Sequence, residues 1–188
     1  MRVIPGIEFN TYSIIGRCSR TGMLGVAITT SDITVGSRCP YVKSSIGAVS
    51  TQASTDPNLG QFALRLMEQG YSAHGALQQL ESSDPYIERR QLGIVDRNGN
   101  ATARTGAMNN DWAGHVTGRG HVAMGNGLVG EGVVQAMASL FLETSELDLE
   151  ERLTRALEAG LQAGGEAQDS TPHHSAALLV YGSDTFSR

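Results

Sequence analysis

Apolar and β-branched residues come first at strand spacing. Residues 11–18, 23–30 and 45–52 are each rich in Ile, Val and Thr, and each is strand-sized. The first two meet across Ser19-Arg20-Thr21-Gly22, a polar turn suited to a hairpin. From Asp56 the spacing changes. Leu59, Phe62 and Leu66 fall on one face of a helix that Asp56 caps, Pro57 opens and Gly70 ends. Ser72 caps a second helix running to about Leu80. Strand spacing returns at 90–95 and 101–105, joined through Asn98-Gly99, a strong hairpin signal, and again at 120–125. Residues 130–142 form a helix that buries Val133, Val134, Met137 and Leu140. Asp148 caps a last helix to Leu161, ended by Gly164-Gly165. Residues 175–181 form a nearly continuous apolar strand, of the type buried on both faces.

The order is strands, two helices, strands, two helices, strand. Helix pairs separated from hairpins do not fit alternating βαβ units. The expected fold is therefore α+β: a four-layer αββα sandwich, two antiparallel sheets flanked by helix pairs. Every apolar face finds a partner in that arrangement. One domain over 1–188 is expected, with 1–10 as an N-terminal extension.

Composition narrows the function. A hydrophobic content of 40% and a charged content of 18% are those of an ordinary globular chain. The 23 glycines and few aromatic residues fit a sheet-rich fold with tight turns. A net charge of -5 with scattered Lys and Arg offers no nucleic-acid surface. No apolar run nears the roughly 20 residues of a membrane span, and the first ten residues carry no signal-peptide core. Two cysteines, Cys18 and Cys39, fit a reduced, cytoplasmic protein and are read as small core residues. No zinc spacing occurs, and the reading calls for no cofactor and no metal.

Several segments stand together as a pattern: Thr11-Tyr12-Ser13-Ile14, Gly25-Val26-Ala27, Ile46 to Ala53, Arg90 to Asp96, Trp112-Ala113-Gly114-His115, Gly125-Asn126 and Ser175 to Val180. In order and spacing they resemble the bacterial family known as domain of unknown function 1028, of the N-terminal-nucleophile (Ntn) hydrolase-like superfamily. The resemblance runs from about Thr11 to Tyr181. It implies the αββα sandwich and a catalytic Thr at the start of the first strand. A terminal Thr supplies both a hydroxyl nucleophile and an α-amino base. This chain departs from the family at two places. Ten residues precede Thr11. A family Gly-Gly-Asp-Arg-Arg-Gly run is replaced by Gly164-Gly165-Glu166-Ala167-Gln168-Asp169, followed by His173-His174-Ser175.

The candidate residues each have a plainer alternative. Thr11 is a nucleophile or a β-branched strand residue. Ser13 is a second hydroxyl on the same strand. Lys43 lowers the hydroxyl pKa, as a Lys does in proteasome-type enzymes, or is a solvated strand end. Thr51 and Gln52 line a cleft, or stand beside loop caps at Ser54, Thr55 and Asp56. Gly125 and Asn126 supply an oxyanion hole, or form a turn with Gly127. Trp112 stacks on a planar substrate with His115 as acid or base, or plugs the core edge. His174 is the better site histidine of its pair, because adjacent strand residues face opposite ways. Glu166, in the replaced run, is taken as substrate-binding. Thr11, Lys43 and His174 are the catalytic candidates.

The expected activity is hydrolysis of a carbon–nitrogen bond, as amidase or deaminase, in a small polar, carboxylated metabolite. Two mechanisms stay open. Thr11 attacks a carbonyl while Asn126 or backbone N–H groups hold the oxyanion, or His or Lys activates water. The second suits a chain whose Thr11 amine is blocked, so no processing is expected. A non-catalytic ligand-binding or structural protein is the alternative. A small-molecule substrate and a homo-oligomer are the expected partners, with neither nucleic acid nor membrane.

Overall fold

The computed structural model describes residues 9–167 and 174–182. Its strands are β1 (Thr11–Arg17), β2 (Leu24–Thr30), β3 (Pro40–Lys43), β4 (Gly47–Ala53), β5 (Arg90–Asp96), β6 (Ala101–Thr105), β7 (Gly114–Gly118), β8 (His121–Asn126) and β9 (Ser175–Tyr181). Helices α1 (Pro57–Glu68) and α2 (Ala73–Ser83) follow β4, and α3 (Gly132–Glu143) and α4 (Leu149–Gln162) follow β8. One sheet runs β7-β8-β1-β2-β9 and the other β3-β4-β5-β6, with every paired neighbour antiparallel. Helices α1 and α2 cover the four-stranded sheet through Leu59, Ala63, Leu77 and Leu80 against Val49, Leu92 and Ile94. Helices α3 and α4 cover the five-stranded sheet through Val133, Met137, Phe141 and Leu153 against Tyr12, Ile14, Ala27 and Ala123. The remaining sheet faces meet each other, which makes the molecule an αββα sandwich.

The local signals explain most boundaries. Asp56 takes the Asn58 N–H at 2.9 Å and Ser72 takes the Gly75 N–H at 3.2 Å, so both cap as their sequence position requires. Gly70, at φ +97°, reverses the chain after α1, where a side chain would be strained. Asp148 occupies the N-cap position of α4, yet its side chain makes no cap bond.

The structure corrects three further expectations. β3 lies where no strand was expected, a four-residue edge too short for a clear period. β7 lies in what reads as a polar loop, because His115 and Thr117 alternate with half-buried positions. β9 is an edge strand, not one buried on both faces. Leu178 is 46% exposed, and β9 pairs only with β2 among the described strands. Its alternating exposed and half-buried positions show one solvated face.

Gly93 lets the facing sheet pack close against β5. A Cβ there would stand 2.7 Å from Ile15 Cδ1 and 3.1 Å from Met124 Sδ. Gly93→Ala is expected to cost about 1–3 kcal/mol by overpacking, measured as a lower urea midpoint at unchanged slope. An unchanged midpoint would mean that the sheets can part at no cost.

His121 gives the fold a pH dependence. The ring is buried against Phe141, with centroids 5.6 Å apart, and Nδ1 has no partner. Burial pushes its pKa below the ordinary imidazole value and Arg152 adds repulsion, while a bond with the Arg119 backbone offsets part of this. The unfolded chain therefore takes up the proton first. The stability this residue contributes is complete above about pH 6.5 and is lost as the pH falls from there through the lower folded value. His121→Gln is expected to flatten the fall in melting temperature between pH 7 and 5. An equally steep fall in the variant would assign it elsewhere.

Candidate functional site

Strand alternation sends two kinds of side chain into the space between the sheets. Ile15, Leu24, Val26, Ala48, Val95, Val122 and Met124 fill one end with hydrocarbon. At the other end of the same strands stand Thr11, Ser13, Thr30, Ser50, Gln52, Gln91 and Asn126, all buried. A run of buried polar groups on core-facing positions contributes nothing to apolar packing. It marks this end of the sandwich as the candidate site.

All of these groups except Ser50, whose Oγ is buried with no hydrogen-bond partner, form one hydrogen-bonded system. Ser13 Oγ donates to Gln52 Oε1 at 2.7 Å. Gln52 Nε2 donates to Gln91 Oε1 at 2.7 Å and lies 3.5 Å from the Thr11 carbonyl. Asn126 Nδ2 donates to the same Gln91 oxygen at 3.2 Å. Gln91 Nε2 in turn reaches the Gly125 carbonyl at 2.8 Å and Thr105 Oγ1 at 2.9 Å, and Thr105 Oγ1 meets His115 Nδ1 at 2.9 Å. Asn126 Oδ1 is buried with no hydrogen-bond partner.

Thr11 opens this system to solvent. Its Oγ1 lies 2.9 Å from Thr30 Oγ1, and Thr30 Oγ1 donates to the Asn10 carbonyl at 2.9 Å. A hydroxyl has one proton. With the Thr30 proton given to Asn10, the single Thr11 proton has two acceptors in reach, Thr30 Oγ1 at 2.9 Å and the Phe9 carbonyl at 3.3 Å, and the shorter contact is to Thr30. The Asn10 carbonyl also receives the Ser31 N–H at 3.1 Å. Thus the peptide carbonyl just before Thr11 is held by Thr30 Oγ1 and the Ser31 N–H, with Ser31 Oγ a longer third donor at 3.5 Å, and the Thr30 hydroxyl also contacts the Thr11 hydroxyl. Asn10 is fixed from other sides as well, through its N–H to Ser31 Oγ at 3.1 Å and its Nδ2 to the Ala167 carbonyl at 3.0 Å. Gly127 leaves room for it, since a Cβ there would run into the Asn10 side chain.

A cavity of about 190 Å³ adjoins Thr11, bordered by Phe9, Thr30, Arg38, Cys39, Gln52 and Thr55. Arg38 pairs with Asp32, and its Nε is buried without a hydrogen bond. Burial pushes the Cys39 thiol up to about 11, so it stays neutral at ordinary pH. Ala53, also on the cavity wall, is held at φ +68°, a left-handed conformation that costs a residue with a Cβ about 1 kcal/mol or more. It turns the chain sharply after Gln52.

The structure brings Thr11, Ser13, Gln52 and Asn126 together, with His115 at the far end of the network. It does not bring in the others. Thr51 faces the opposite side of its strand and receives Thr55 Oγ1 at 3.3 Å. Gly125 joins through its carbonyl alone. Trp112 packs at the edge of the α3–α4 core, over Gly114. Lys43 pairs with Glu68 and stands opposite Gly47, five residues and about 17 Å along β4 from Gln52. His174 and Glu166 border a separate cavity of about 370 Å³ with Tyr12 and Thr29, on the α4 side of the sheet. There His174 Nδ1 lies 3.8 Å from Glu166 Oε2, and burial with the Glu166 charge pushes Tyr12 up to about 12. His173 lies outside the described residues.

Three residues here escaped sequence reasoning. Gln91 sits in a strand read as simply apolar; a polar residue two positions before Gly93 on the inner face was the available signal. Thr30 is the cross-strand partner of Thr11, which the hairpin register gives directly. Arg38 lies between elements, and nothing in its surroundings points to it.

A family model described as "Family of unknown function (DUF1028)" matches residues 11–188. The crystal structure of protein SPO2555 from Silicibacter pomeroyi, a DUF1028 structure, is similar at TM-score 0.83 and 33% identity, covering 92% of this chain and 76% of that one. The crystal structure of eukaryotic HslV from Trypanosoma brucei is similar at TM-score 0.46 and 14% identity, covering 90% and 99%. No curated protein matches the chain.

Proposed function

The chain belongs to DUF1028, a family of unknown function, and from that starting point we propose that it hydrolyses a carbon–nitrogen bond with Thr11 as nucleophile. The substrate we infer is a small polar, carboxylated metabolite. One observation carries the reading: the Thr11 hydroxyl, the Thr30 hydroxyl and the Asn10 carbonyl form a continuous relay.

The relay supports a first reaction of the chain on itself, in place of the unprocessed Thr11 expected from its blocked amine. Thr11 Oγ1 attacks the Asn10 carbonyl carbon. Its proton passes to Thr30 as the Thr30 proton passes to the carbonyl oxygen, giving a neutral five-membered ring. The Ser31 N–H supports the oxygen while charge builds on it. Collapse returns the hydroxyl proton to nitrogen, breaks the carbon–nitrogen bond and leaves an ester on Oγ1. Water then cleaves the ester, releases Asn10 as a carboxylate and restores the Thr11 hydroxyl beside the amine that the collapse set free. That amine, with an ordinary pKa near 8, then serves as base for the same hydroxyl against substrate. The buried Arg38 Nε is the donor we assign to the substrate carboxylate. The alternative water mechanism loses support because neither Lys43 nor His174 borders the Thr11 cavity.

A non-catalytic binding protein is the second reading. It is favoured by Phe9 and Asn10, which stand where a substrate would enter. Intact mass separates the two. Loss of residues 1–10 from the wild type, but not from Thr11→Ala, is the expected result. A wild-type mass that stays complete over days would remove the nucleophile and leave the binding reading. A homo-oligomer in the cytoplasm completes the proposal, supported by the exposed Val129 and Leu161 side chains and by two free cysteines.

A further inference from the structure

Six residues along β1 from Thr11, about 20 Å away, the opposite end of the sandwich holds a second cavity with its own chemistry. Its volume is about 250 Å³, and Arg17, Arg119 and Arg152 border it together with Ser19, Asn98 and Ser145. Three turns and the end of α3 converge there: the β1–β2, β5–β6 and β7–β8 connections. No carboxylate borders it among the described residues.

Three guanidinium groups around one space repel each other, and other arginines of this acidic protein are balanced by a carboxylate. Arg38, Arg90, Arg104 and Arg155 each hold a carboxylate. Arg17, Arg119 and Arg152 form no ion pair with any described residue. Arg152 is 5% exposed and fixed in place, its Nη2 2.8 Å from the Phe141 carbonyl and its guanidinium 4.0 Å over the Phe141 ring. That contact occupies two of its five N–H groups, with Nε at 3.3 Å, and leaves others for the cavity. Arg17 Nε is buried with no hydrogen-bond partner. Arg152 is buried, Arg17 is half-buried with an unpartnered Nε and Arg119 is exposed at the rim. Glu146 is the carboxylate whose charge reaches Arg152, without an ion pair, and a bound anion would offset the remaining cost of holding these donors together.

We propose that this cavity binds a small tetrahedral dianion, inorganic phosphate or the phosphoryl group of a metabolite. Donors from three sides match the three or four oxygens of phosphate. A planar monoanion such as acetate presents two oxygens in one plane and leaves one arginine unanswered. The Ser19 hydroxyl and the Asn98 amide add neutral donors at the rim, while the Ser145 hydroxyl is turned to Glu146 Oε1 at 3.3 Å. The site is separate from the Thr11 cavity, so its occupant is an effector or a stabilising ion, not the substrate of the proposed hydrolysis.

The test is isothermal titration of the purified full chain with inorganic phosphate, with acetate and chloride at matched ionic strength as controls. Arg17→Gln, Arg119→Gln and their double variant are compared with wild type. Arg152 is left intact because it also closes α3. Phosphate is expected to bind with a dissociation constant below about 1 mM and to raise the melting temperature by roughly 5 °C at 10 mM. Each single variant should weaken binding about tenfold, and the double variant should abolish it. Without phosphate, Arg17→Gln should melt no lower than wild type, since it removes an unanswered charge. Phosphate binding that is absent, or unchanged in the double variant, would overturn the proposal. Acetate binding as tightly would overturn the tetrahedral assignment. A glycerol phosphate arm distinguishes the sources: binding equal to or tighter than phosphate assigns a phosphorylated metabolite, and weaker binding assigns the free ion.

Discussion

Thr11→Ala is expected to leave the chain uncut and to lower turnover by on the order of a thousandfold or more, once a substrate is in hand. The loss is large because one hydroxyl serves both reactions. Self-cleavage and substrate attack each begin at Oγ1. Thr30→Val separates the two roles. Valine keeps the shape of a threonine that is 2% exposed, but it removes the donor to Asn10 and the acceptor for Thr11. Cleavage in that variant should slow by about 10²-fold, the usual effect of losing one donor to a developing oxyanion. Cleavage at the wild-type rate would show that the relay is bypassed. The mature enzyme should also lose rate as the pH falls below about 8, because its base is an amine that must be neutral. A rate that is flat from pH 9 to 6 would exclude the amine and return the search to water activated by another group.

Gln91→Leu is the second large effect, and it falls on stability. Gln91 receives amide protons from both Gln52 and Asn126, and it donates to the Gly125 carbonyl and Thr105 Oγ1. Leucine fills the same space and answers none of them. Two buried amide donors and a buried carbonyl lose their partner together, each at about 1–3 kcal/mol. A total of about 4 kcal/mol is a large part of the 5–15 kcal/mol that holds a typical domain, and corresponds to a melting temperature roughly 10 °C lower. Gln52→Leu on the Gln91→Leu background should then cost less than Gln52→Leu alone, because the partner has already gone. Strict additivity, or a single-variant cost below 1 kcal/mol, would mean that water or a shifted side chain satisfies the network.

Much of the architecture was legible because periodicity reports burial. Seven of the strands and all four helices have long or clearly capped segments, and their order excluded a parallel sheet. What escaped was short or lay at an edge. β3 has four residues. β7 carries polar residues on its exposed face and so reads as loop. β9 looks like a central strand because Ala177, Leu178 and Leu179 are apolar in succession; only the sheet order reveals that it is an edge. For the site, Thr11, Ser13, Gln52 and Asn126 were legible as polar residues at strand ends. Their meeting place was not, because register between strands far apart in sequence decides it. Ser13 and Gln52 are 39 residues apart and share a hydrogen bond. Lys43 illustrates the reverse error. It is close to Gln52 in sequence, but the β3–β4 hairpin turns it to the other end of the sheet.

The pairing of β9 with β2 has a consequence during synthesis. Thr30, the last residue of β2, pairs with Ser175, so one side of β2 waits for 145 residues to be added. At about 5–20 residues per second, that is roughly 7–30 s on the ribosome with an unpaired edge on a largely apolar strand. A nascent chain stalled before β9 should therefore be the species that holding chaperones retain and that aggregates when they are depleted. The emergence of β9, not any step inside the sandwich, sets when that edge closes.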